Sequence, residues 1–161
     1  MAETYLEVQV GESLLARGLK VCSAESCTGG LIMHRLTNVP GSSSYVLGGI
    51  VAYANEAKMA LLGVQLSTLE SYGAVSAETA EEMARGALNR FNADVAVSVT
   101  GIAGPSGGSI DKPVGLTYLS VVTRTGLQHV ERHLWSGDRE AVKSQSADAA
   151  LRMILDAVQG G

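Results

Sequence analysis

The sequence is poor in the features that mark exported and membrane proteins. Its 161 residues include only two cysteines and three prolines, and aromatic residues make up 4% of the chain. No apolar run approaches the roughly 20 residues that a membrane-spanning helix needs. The first residues also lack the basic-then-apolar order of a signal peptide. We therefore expect a cytoplasmic protein with no membrane partner.

Basic residues are also few. The chain has 12 Lys and Arg residues against 16 Asp and Glu residues, which gives a formal net charge of −4. Binding to nucleic acid depends on an excess of positive charge on the protein surface. The composition therefore predicts no nucleic-acid partner.

The two cysteines form no recognisable metal site. Cys22 and Cys27 are separated by four residues and have no histidine nearby, a spacing that matches no zinc or iron–sulfur motif. In a cytosolic chain, two reduced thiols are the ordinary interpretation. For Cys27 an alternative stays open, because a thiolate in its loop can act as a nucleophile. We expect neither a metal nor a cofactor.

Glycine, by contrast, is abundant. The 19 glycines in 161 residues exceed the usual share of about 7%. The chain is nevertheless 46% hydrophobic and only 17% charged, which is typical of a globular protein rather than a disordered one. The length fits a single domain over residues 1–161 with a full core. The glycines therefore indicate backbone shaped around a small-molecule ligand.

Hydrophobic periodicity and capping residues divide the chain into alternating helices and strands. The predicted N-caps are Asn55, Ser76 and Asp138, and the predicted C-terminal glycine stops are Gly18 and Gly63. The predicted strands lie at residues 20–24, 48–53, 94–100, 115–123 and 127–135. The predicted helices lie at residues 4–18 and 28–36, from Asn55 to Gly63, from Ser76 to Phe91, and from Asp138 almost to the end. This alternation predicts right-handed crossovers and a mainly parallel sheet. We expect an α/β protein with a three-layer α/β/α fold, whose mixed sheet ends in an antiparallel hairpin.

Three loops that follow predicted strands contain unusual residues. Ligands of open parallel sheets bind beyond the carboxyl ends of the strands, so a site is expected in these loops. The first loop, residues 25–30 (ESCTGG), leads from a strand into a helix and presents hydroxyl and backbone N–H groups at a positive helix end. It is either part of a site or a helix cap with glycines for tight packing.

The second loop, residues 53–58 (YANEAK), places Lys58 in the first turn of a helix. The helix macrodipole disfavours a positive charge there, and partial burial also lowers the pKa of an amine. Lys58 is therefore either a neutral base that takes a proton from a hydroxyl, or a solvated surface lysine.

The third loop, residues 100–109 (TGIAGPSGGS), is rich in glycine. It contains neither a Walker A sequence nor a G-x-G-x-x-G fingerprint, which weakens a kinase or dehydrogenase assignment. Two interpretations stay open: a loop whose N–H groups bind a phosphate or an oxyanion, and a flexible surface loop.

Histidine chemistry is poorly supported, because His34, His129 and His133 all lie outside the three loops. The residues within the loops instead favour a serine with a lysine base. This pair is a known variant of the catalytic triad on unrelated folds.

The same loops belong to a set of segments that resembles a known family over nearly the whole chain. The segments are SAESCTGG (23–30), VPGSSSYVLGGIVAYANEAKMALLGV (39–64), GAVSAETAEEMA (73–84), SVTGIAGPSGG (98–108), KPVG (112–115) and SGDREAV (136–142). They resemble the C-terminal domain of the competence/damage-inducible protein CinA and its stand-alone relatives, the PncC-type nicotinamide-nucleotide amidohydrolases.

This resemblance implies deamidation of nicotinamide mononucleotide to nicotinate mononucleotide and ammonia by a serine–lysine mechanism without a metal. It makes Ser26 the nucleophile and Lys58 its base, with Tyr53 as a proton-relay or orienting group. We also expect a homo-oligomer.

Further residues would contact the substrate on this resemblance. Thr100 and Gly101 would line the pocket, and the loop to Gly108 would hold the ribose phosphate or shape the pocket wall. Glu25 would orient Lys58 or bind substrate, and Arg139 would offset phosphate charge. The full expected substrate-binding set is Glu25, Cys27, Thr28, Gly29, Asn55, Thr100, Gly101, Gly104, Gly107 and Arg139.

Two other functions stay open at this stage. The domain could be a catalytically silent nucleotide-binding module, or an accessory protein in competence or DNA damage. The presence of Ser26, Tyr53 and Lys58 together favours the enzyme over the silent module. The acidic balance and the single Trp135 disfavour binding to DNA.

Overall fold

The computed structural model describes residues 4–160, which form a five-stranded sheet between two layers of helices. The strands are β1 (Val21–Glu25), β2 (Val46–Val51), β3 (Val95–Gly101), β4 (Leu116–Thr123) and β5 (Gln128–Leu134). The helices are α1 (Leu6–Arg17), α2 (Leu31–Thr37), α3 (Asn55–Leu62), α4 (Leu66–Tyr72), α5 (Ala77–Phe91) and α6 (Arg139–Gly160), and a short 3₁₀ turn spans Ser42–Ser44. None of these helices is long and apolar enough to cross a membrane.

The sheet is mixed, with the strand order β2-β1-β3-β4-β5. Strand β1 pairs in parallel with β2 on one side and with β3 on the other. Strand β4 runs antiparallel to β3, and β5 runs antiparallel to β4. The predicted three-layer α/β/α class and the terminal antiparallel hairpin are both confirmed.

Alternation along the strands divides the core between the two faces of the sheet. Val97 and Val99 of β3 pack in a cluster with residues of α1, α2 and α6, whereas Ala96 packs in a cluster with residues of α3 and α5. Strand β1 behaves in the same way, with Val21 in the first cluster and Cys22 in the second. Successive side chains of a strand point to opposite faces, so neighbouring residues at a strand end reach different helices.

Several predicted helix ends are confirmed. Gly18 and Gly63 adopt the left-handed conformation just after α1 and α3, as C-terminal glycine caps do. The Ser76 hydroxyl accepts a hydrogen bond from the Thr79 amide at the start of α5. The Asp138 carboxylate accepts one from the Ala141 amide at the start of α6.

Other predicted boundaries are wrong. Asn55 does not cap α3, because the extended residue before the helix is Ala54 and Asn55 is already helical. Helix α2 begins at Leu31 rather than at residue 28, because Gly29 and Gly30 have φ values of 60° and 105° that an α-helix excludes. Strand β2 lies two residues earlier than predicted. Helix α4 and the 3₁₀ turn were not predicted.

Candidate active site

A cleft opens where the chain connections diverge to the two faces of the sheet. The β1–β2 crossover runs through α2, and the β2–β3 crossover runs through α3, α4 and α5 on the opposite face. In open α/β sheets such a divergence leaves a crevice at the carboxyl ends of the strands. A cavity of about 170 Å³ lies there, lined by Ser26, Cys27, Tyr53, Asn55, Lys58, Ala74, Val75, Thr100, Gly101, Ala103 and Arg139.

Ser26 and Lys58 lie in direct contact in this cavity. Ser26 follows β1 and is held against β3, because its backbone N–H donates to the Val99 carbonyl at 3.1 Å. The Lys58 Nζ is 3.0 Å from the Ser26 Oγ and 2.9 Å from the carbonyl oxygen of Tyr53. The structure therefore brings together the serine and lysine that the sequence predicted to share one crevice.

The Lys58 amine is buried without a counter-charge. Lys58 and Leu62, four residues apart, form the buried side of α3, and Lys58 is only 2% exposed. Among the residues described, no carboxylate forms an ion pair with it. Burial lowers the pKa of Lys58 below its usual value, since the charged form loses its hydration. The predicted direction of this shift is confirmed.

The thiol of Cys27 lines the same cavity, but it is held in its neutral form. The residue is 5% exposed and the thiol is free. Burial is the main cause that raises the pKa of Cys27 to about 11. Because a thiol attacks only as its thiolate, this environment disfavours Cys27 as the nucleophile near neutral pH.

Glu25 was expected to orient Lys58 or bind substrate, but it lies on the other side of the strand, where it neither contacts Lys58 nor lines the cavity. The alternation along β1 directs Ser26 toward α3 and Glu25 toward α2, where the carboxyl group is 1% exposed. Its oxygens accept hydrogen bonds from Ser23 Oγ (3.2 Å), Thr28 Oγ1 (2.7 Å), Gly30 N (3.2 Å), Ile32 N (3.0 Å) and Met33 N (3.0 Å).

This carboxylate joins the first loop, residues 25–30, to the start of α2. The first N–H groups of a helix have no partner within the helix, and Glu25 supplies one from the strand. Thr28 donates its hydroxyl to the same carboxylate and does not line the cavity. Gly29 does not line it either. Thr28 and Gly29 were expected to contact substrate, but neither residue lines this cavity. They shape the loop instead.

Tyr53 contributes two different groups at the mouth of the cavity. Its carbonyl holds Lys58, and its hydroxyl accepts a hydrogen bond from Arg139 at 3.2 Å. Arg139 also donates to the Gly104 carbonyl at 2.8 Å. The group that orients Lys58 is therefore the carbonyl of Tyr53 rather than its hydroxyl, and Arg139 ties the second and third loops together.

The third loop meets the cavity only at its beginning. The Thr100 hydroxyl donates to the Ala74 carbonyl at 2.8 Å. A Cβ atom on Gly101 would lie 2.7 Å from Thr117 Oγ1, so only glycine fits there. Gly104 and Gly107 were expected to contact substrate, but they do not line the cavity.

Two lining residues were not predicted from the sequence, Ala74 and Val75, and a third, Ala103, belongs to the glycine-rich loop but was not named individually. They are small or apolar and carry no reactive group, so only the fold reveals them. Asn55, in contrast, lines the cavity as expected. Within residues 4–160 no three His, Cys, Asp or Glu side chains are grouped in a way that could hold a metal ion.

Comparison with known sequences finds relatives over almost the whole chain. A nicotinamide-nucleotide amidohydrolase PncC of Enterobacter agglomerans is 50% identical over 150 residues, which are 93% of this chain and 92% of that protein. A CinA-like protein of Chloroherpeton thalassium is 49% identical over 154 residues, which are 94% of this chain. The chain spans only 37% of the length of that second relative.

Solved structures agree with the sequence relatives. The competence/damage inducible protein CihA of Agrobacterium tumefaciens has a TM-score of 0.92 and 42% identity, with 99% of each chain covered. A CinA superfamily protein of Klebsiella pneumoniae has a TM-score of 0.93 and 33% identity, with 97% of each chain covered. The CinA C-terminal domain family matches residues 3–158. The chain therefore belongs to the CinA C-terminal domain family.

Proposed function

We propose that this protein hydrolyses the carboxamide of nicotinamide mononucleotide to give nicotinate mononucleotide and ammonia. The observation that carries the proposal is the Ser26–Lys58 pair, with 3.0 Å between Oγ and a buried, uncompensated amine. The amidohydrolase named PncC, which is aligned over 92% of its own length, supports the substrate class. The proposed mechanism uses a Ser-Lys dyad and no cofactor.

In the first half of the reaction, Ser26 Oγ attacks the carboxamide carbon. The neutral Lys58 amine accepts the hydroxyl proton through its lone pair and keeps one N–H directed at the Tyr53 carbonyl. The tetrahedral intermediate then expels its nitrogen, which takes a proton from the Lys58 ammonium and leaves as ammonia. An ester between the nicotinoyl group and Ser26 remains.

In the second half, a water molecule attacks that ester. Lys58 again accepts the proton, and it returns a proton to Ser26 Oγ as the carbon–oxygen bond to the serine breaks. Nicotinate mononucleotide leaves as a carboxylate. One lysine thus acts as base and then as acid in each half, as histidine does in a Ser-His pair.

The oxyanion of each tetrahedral intermediate needs N–H donors near Ser26. The Ser26 amide is already bound to the Val99 carbonyl. The amides of Cys27 and Thr28 donate to no backbone or side-chain oxygen of residues 4–160, and a tight turn from Ser26 to Gly29 holds them beside the nucleophile. We assign the oxyanion hole to these two amides.

Ammonia release from nicotinamide mononucleotide tests the proposal directly. We expect turnover by the unmodified chain, and we expect Ser26→Ala to lower kcat by about 10³-fold or more, because the attacking oxygen is lost. The binding of nicotinamide mononucleotide to Ser26→Ala should change little.

Cys27→Ser is the matched control for this experiment. The substitution changes a neighbouring group of the same cavity and leaves Ser26 and Lys58 in place, so we expect kcat within tenfold of the unmodified value. Loss of turnover in Cys27→Ser with retention in Ser26→Ala would make the thiol the nucleophile and refute the Ser-Lys assignment.

A further inference from the structure

A second cavity adjoins the catalytic one. It has a volume of about 470 Å³ and is lined by Leu31, Arg139, Glu140, Lys143 and Ser144. Arg139 also lines the catalytic cavity, so the two spaces meet at its side chain. A ligand that reacts at Ser26 and is longer than a single ring would extend into this second space.

Two cationic side chains of α6, Arg139 and Lys143, line the second cavity. Arg139 and Lys143 are four residues apart and therefore neighbours on one face of the helix. The hydrogen bonds of Arg139 go to two uncharged oxygens, the Tyr53 hydroxyl and the Gly104 carbonyl. The Lys143 Nζ lies beside the first loop (residues 25–30), 3.7 Å from the position of a Cβ on Gly29.

Neither cation has a carboxylate partner. No ion pair of residues 4–160 includes Arg139 or Lys143. Glu140 also lines the cavity, but Glu140 and Arg139 are both exposed to solvent, so Lys143 is the half-buried charge of this wall. Water and salt screen an exposed charge more strongly than a partly buried one. The wall of this cavity therefore favours an anion.

The glycine-rich loop is less suited to that anion than the sequence suggested. The group that it presents to Arg139 is the Gly104 carbonyl oxygen, which repels a phosphate instead of binding it. Gly104 and Gly107 do not line either cavity. The cations of α6, and not the loop, are the groups placed to receive negative charge.

We propose that the cavity beside Arg139 is the subsite for the phosphate monoester of the substrate, and that Lys143 determines the preference for a nucleotide over a nucleoside. The inference rests on the proposed function, since it takes the reacting carboxamide to lie at Ser26. Arg139 supplies a planar guanidinium at the boundary, and Lys143, one helical turn further along α6, supplies a compact charge with three donors.

Binding measurements in a Ser26→Ala background test the subsite without turnover. The two probes are nicotinamide mononucleotide and nicotinamide riboside, which differ only in the phosphate. We expect Lys143→Gln to weaken binding of the mononucleotide about tenfold or more and to leave the riboside within twofold. Lys143→Arg should retain most of the mononucleotide affinity.

Arg152→Gln is the control, since Arg152 is an exposed cation of the same helix that lines neither cavity. It should bind both probes as the parent does. An equal loss for both probes in Lys143→Gln, or no loss for the mononucleotide, overturns the subsite. Retained riboside binding by Lys143→Gln shows that the variant is folded.

Ammonia release by the chain with Ser26 intact distinguishes the two proposals. Deamidation without any effect of Lys143→Gln on phosphate recognition leaves the function standing and refutes the subsite. The opposite outcome is also possible to detect. If Lys143→Gln removes the preference for the mononucleotide but the chain with Ser26 intact releases no ammonia, the subsite is supported and the proposed function is refuted.

Discussion

At the scale of single residues, the site depends on an amine that the fold keeps out of water. Lys58 is 2% exposed and its nearest polar partners are a hydroxyl and a carbonyl oxygen. These groups accept hydrogen bonds from an ammonium ion but do not balance its charge. The neutral amine is therefore favoured more than in water, and its lone pair becomes available to the Ser26 hydroxyl.

Lys58→Arg should be nearly as damaging to turnover as Lys58→Ala, although arginine keeps the positive charge. A guanidinium stays protonated at any usable pH and cannot act as a base. We expect each variant to lower kcat by at least a hundredfold. If Lys58→Arg retained most of the activity, Lys58 would be an electrostatic clamp on substrate and not the base.

The pH profile of the unmodified chain adds a check on the same residue. The pKa of Lys58 is lowered from the ordinary value of 10.5 by burial, and the proposed mechanism requires the deprotonated form. The kcat/KM for nicotinamide mononucleotide should thus rise with pH through one ionisation below 10.5 and then level off. A profile that falls over that range would contradict the assignment.

The sequence predicts which loops form the site, but it does not predict the direction of each side chain within them. The approach of Ser26 to Lys58 follows from two loops that leave neighbouring parallel strands, and it was predicted. The orientation of Glu25 depends on which face of β1 each residue occupies, and it was not predicted because the predicted strand ended at residue 24, one residue too early. The five donors around Glu25 come from segments whose local turns only the fold defines.

At the scale of elements, the position of α3 is set by its contact with α5. A Cβ on Gly86 of α5 would stand 1.9 Å from the Leu62 carbonyl oxygen at the end of α3. Arg90 of α5 donates hydrogen bonds to the carbonyls of Ala60 and Leu61 in the same region. The helix that carries Lys58 is therefore held against α5 at backbone distance.

Gly86→Ala should destabilise the protein although alanine is the better helix former. Helix propensity alone favours alanine by about 1 kcal/mol, but the added methyl group overlaps a backbone oxygen that has no rotamer to change. We expect a net loss of about 1–3 kcal/mol in the free energy of unfolding, measured by urea denaturation, and a lower kcat.

Asn89→Ala is the matched control, because Asn89 is an exposed residue of the same helix. That variant should unfold within about 0.5 kcal/mol of the parent. Greater stability of Gly86→Ala would show that α3 can move away from α5 without a penalty.

The elements that the sequence missed lack the pattern on which prediction relies. Helix α4 has seven residues, Thr68 is its only buried residue, and Leu66 is 57% exposed. A helix with a polar buried face gives no 3.6-residue hydrophobic period. Helix α5, with five buried residues and a Ser76 cap, shows that period clearly and was predicted.

At the scale of the whole molecule, strand order decides which loops meet. The alternating pattern predicts a mixed sheet, but it does not say which strands are neighbours. Placing β1 between β2 and β3 brings together the loops that follow all three strands. The antiparallel pair β4 and β5 completes the sheet on the far side, and Thr117 of β4 restricts the space at Gly101.

Lys58 should lower the global stability of the protein near neutral pH. Its folded pKa lies below its unfolded value of about 10.5, so the stability that the neutral amine contributes is fully present above pH 10.5 and is lost as the pH falls through the folded pKa. We expect Lys58→Met to be inactive yet more stable at pH 7 by on the order of 1 kcal/mol, or about 2–4 °C in Tm.

Thermal unfolding at several pH values checks this expectation. The difference in Tm between Lys58→Met and the parent should shrink as the pH approaches 10.5. A difference of the opposite sign at pH 7 would mean that the amine is stabilised by its surroundings as a cation.

The carboxylate of Glu25 bonds both the first loop (residues 25–30) and the first turn of α2, so we expect these two segments to unfold locally together. Both of its oxygens face donors, so Glu25→Gln must direct its amide N–H₂ toward another N–H or hydroxyl. Hydrogen exchange of the Ile32 and Met33 amides should therefore speed up in Glu25→Gln and remain slow in Glu140→Gln. Those two protons would then report, from outside the cavity, whether Ser26 is held in place.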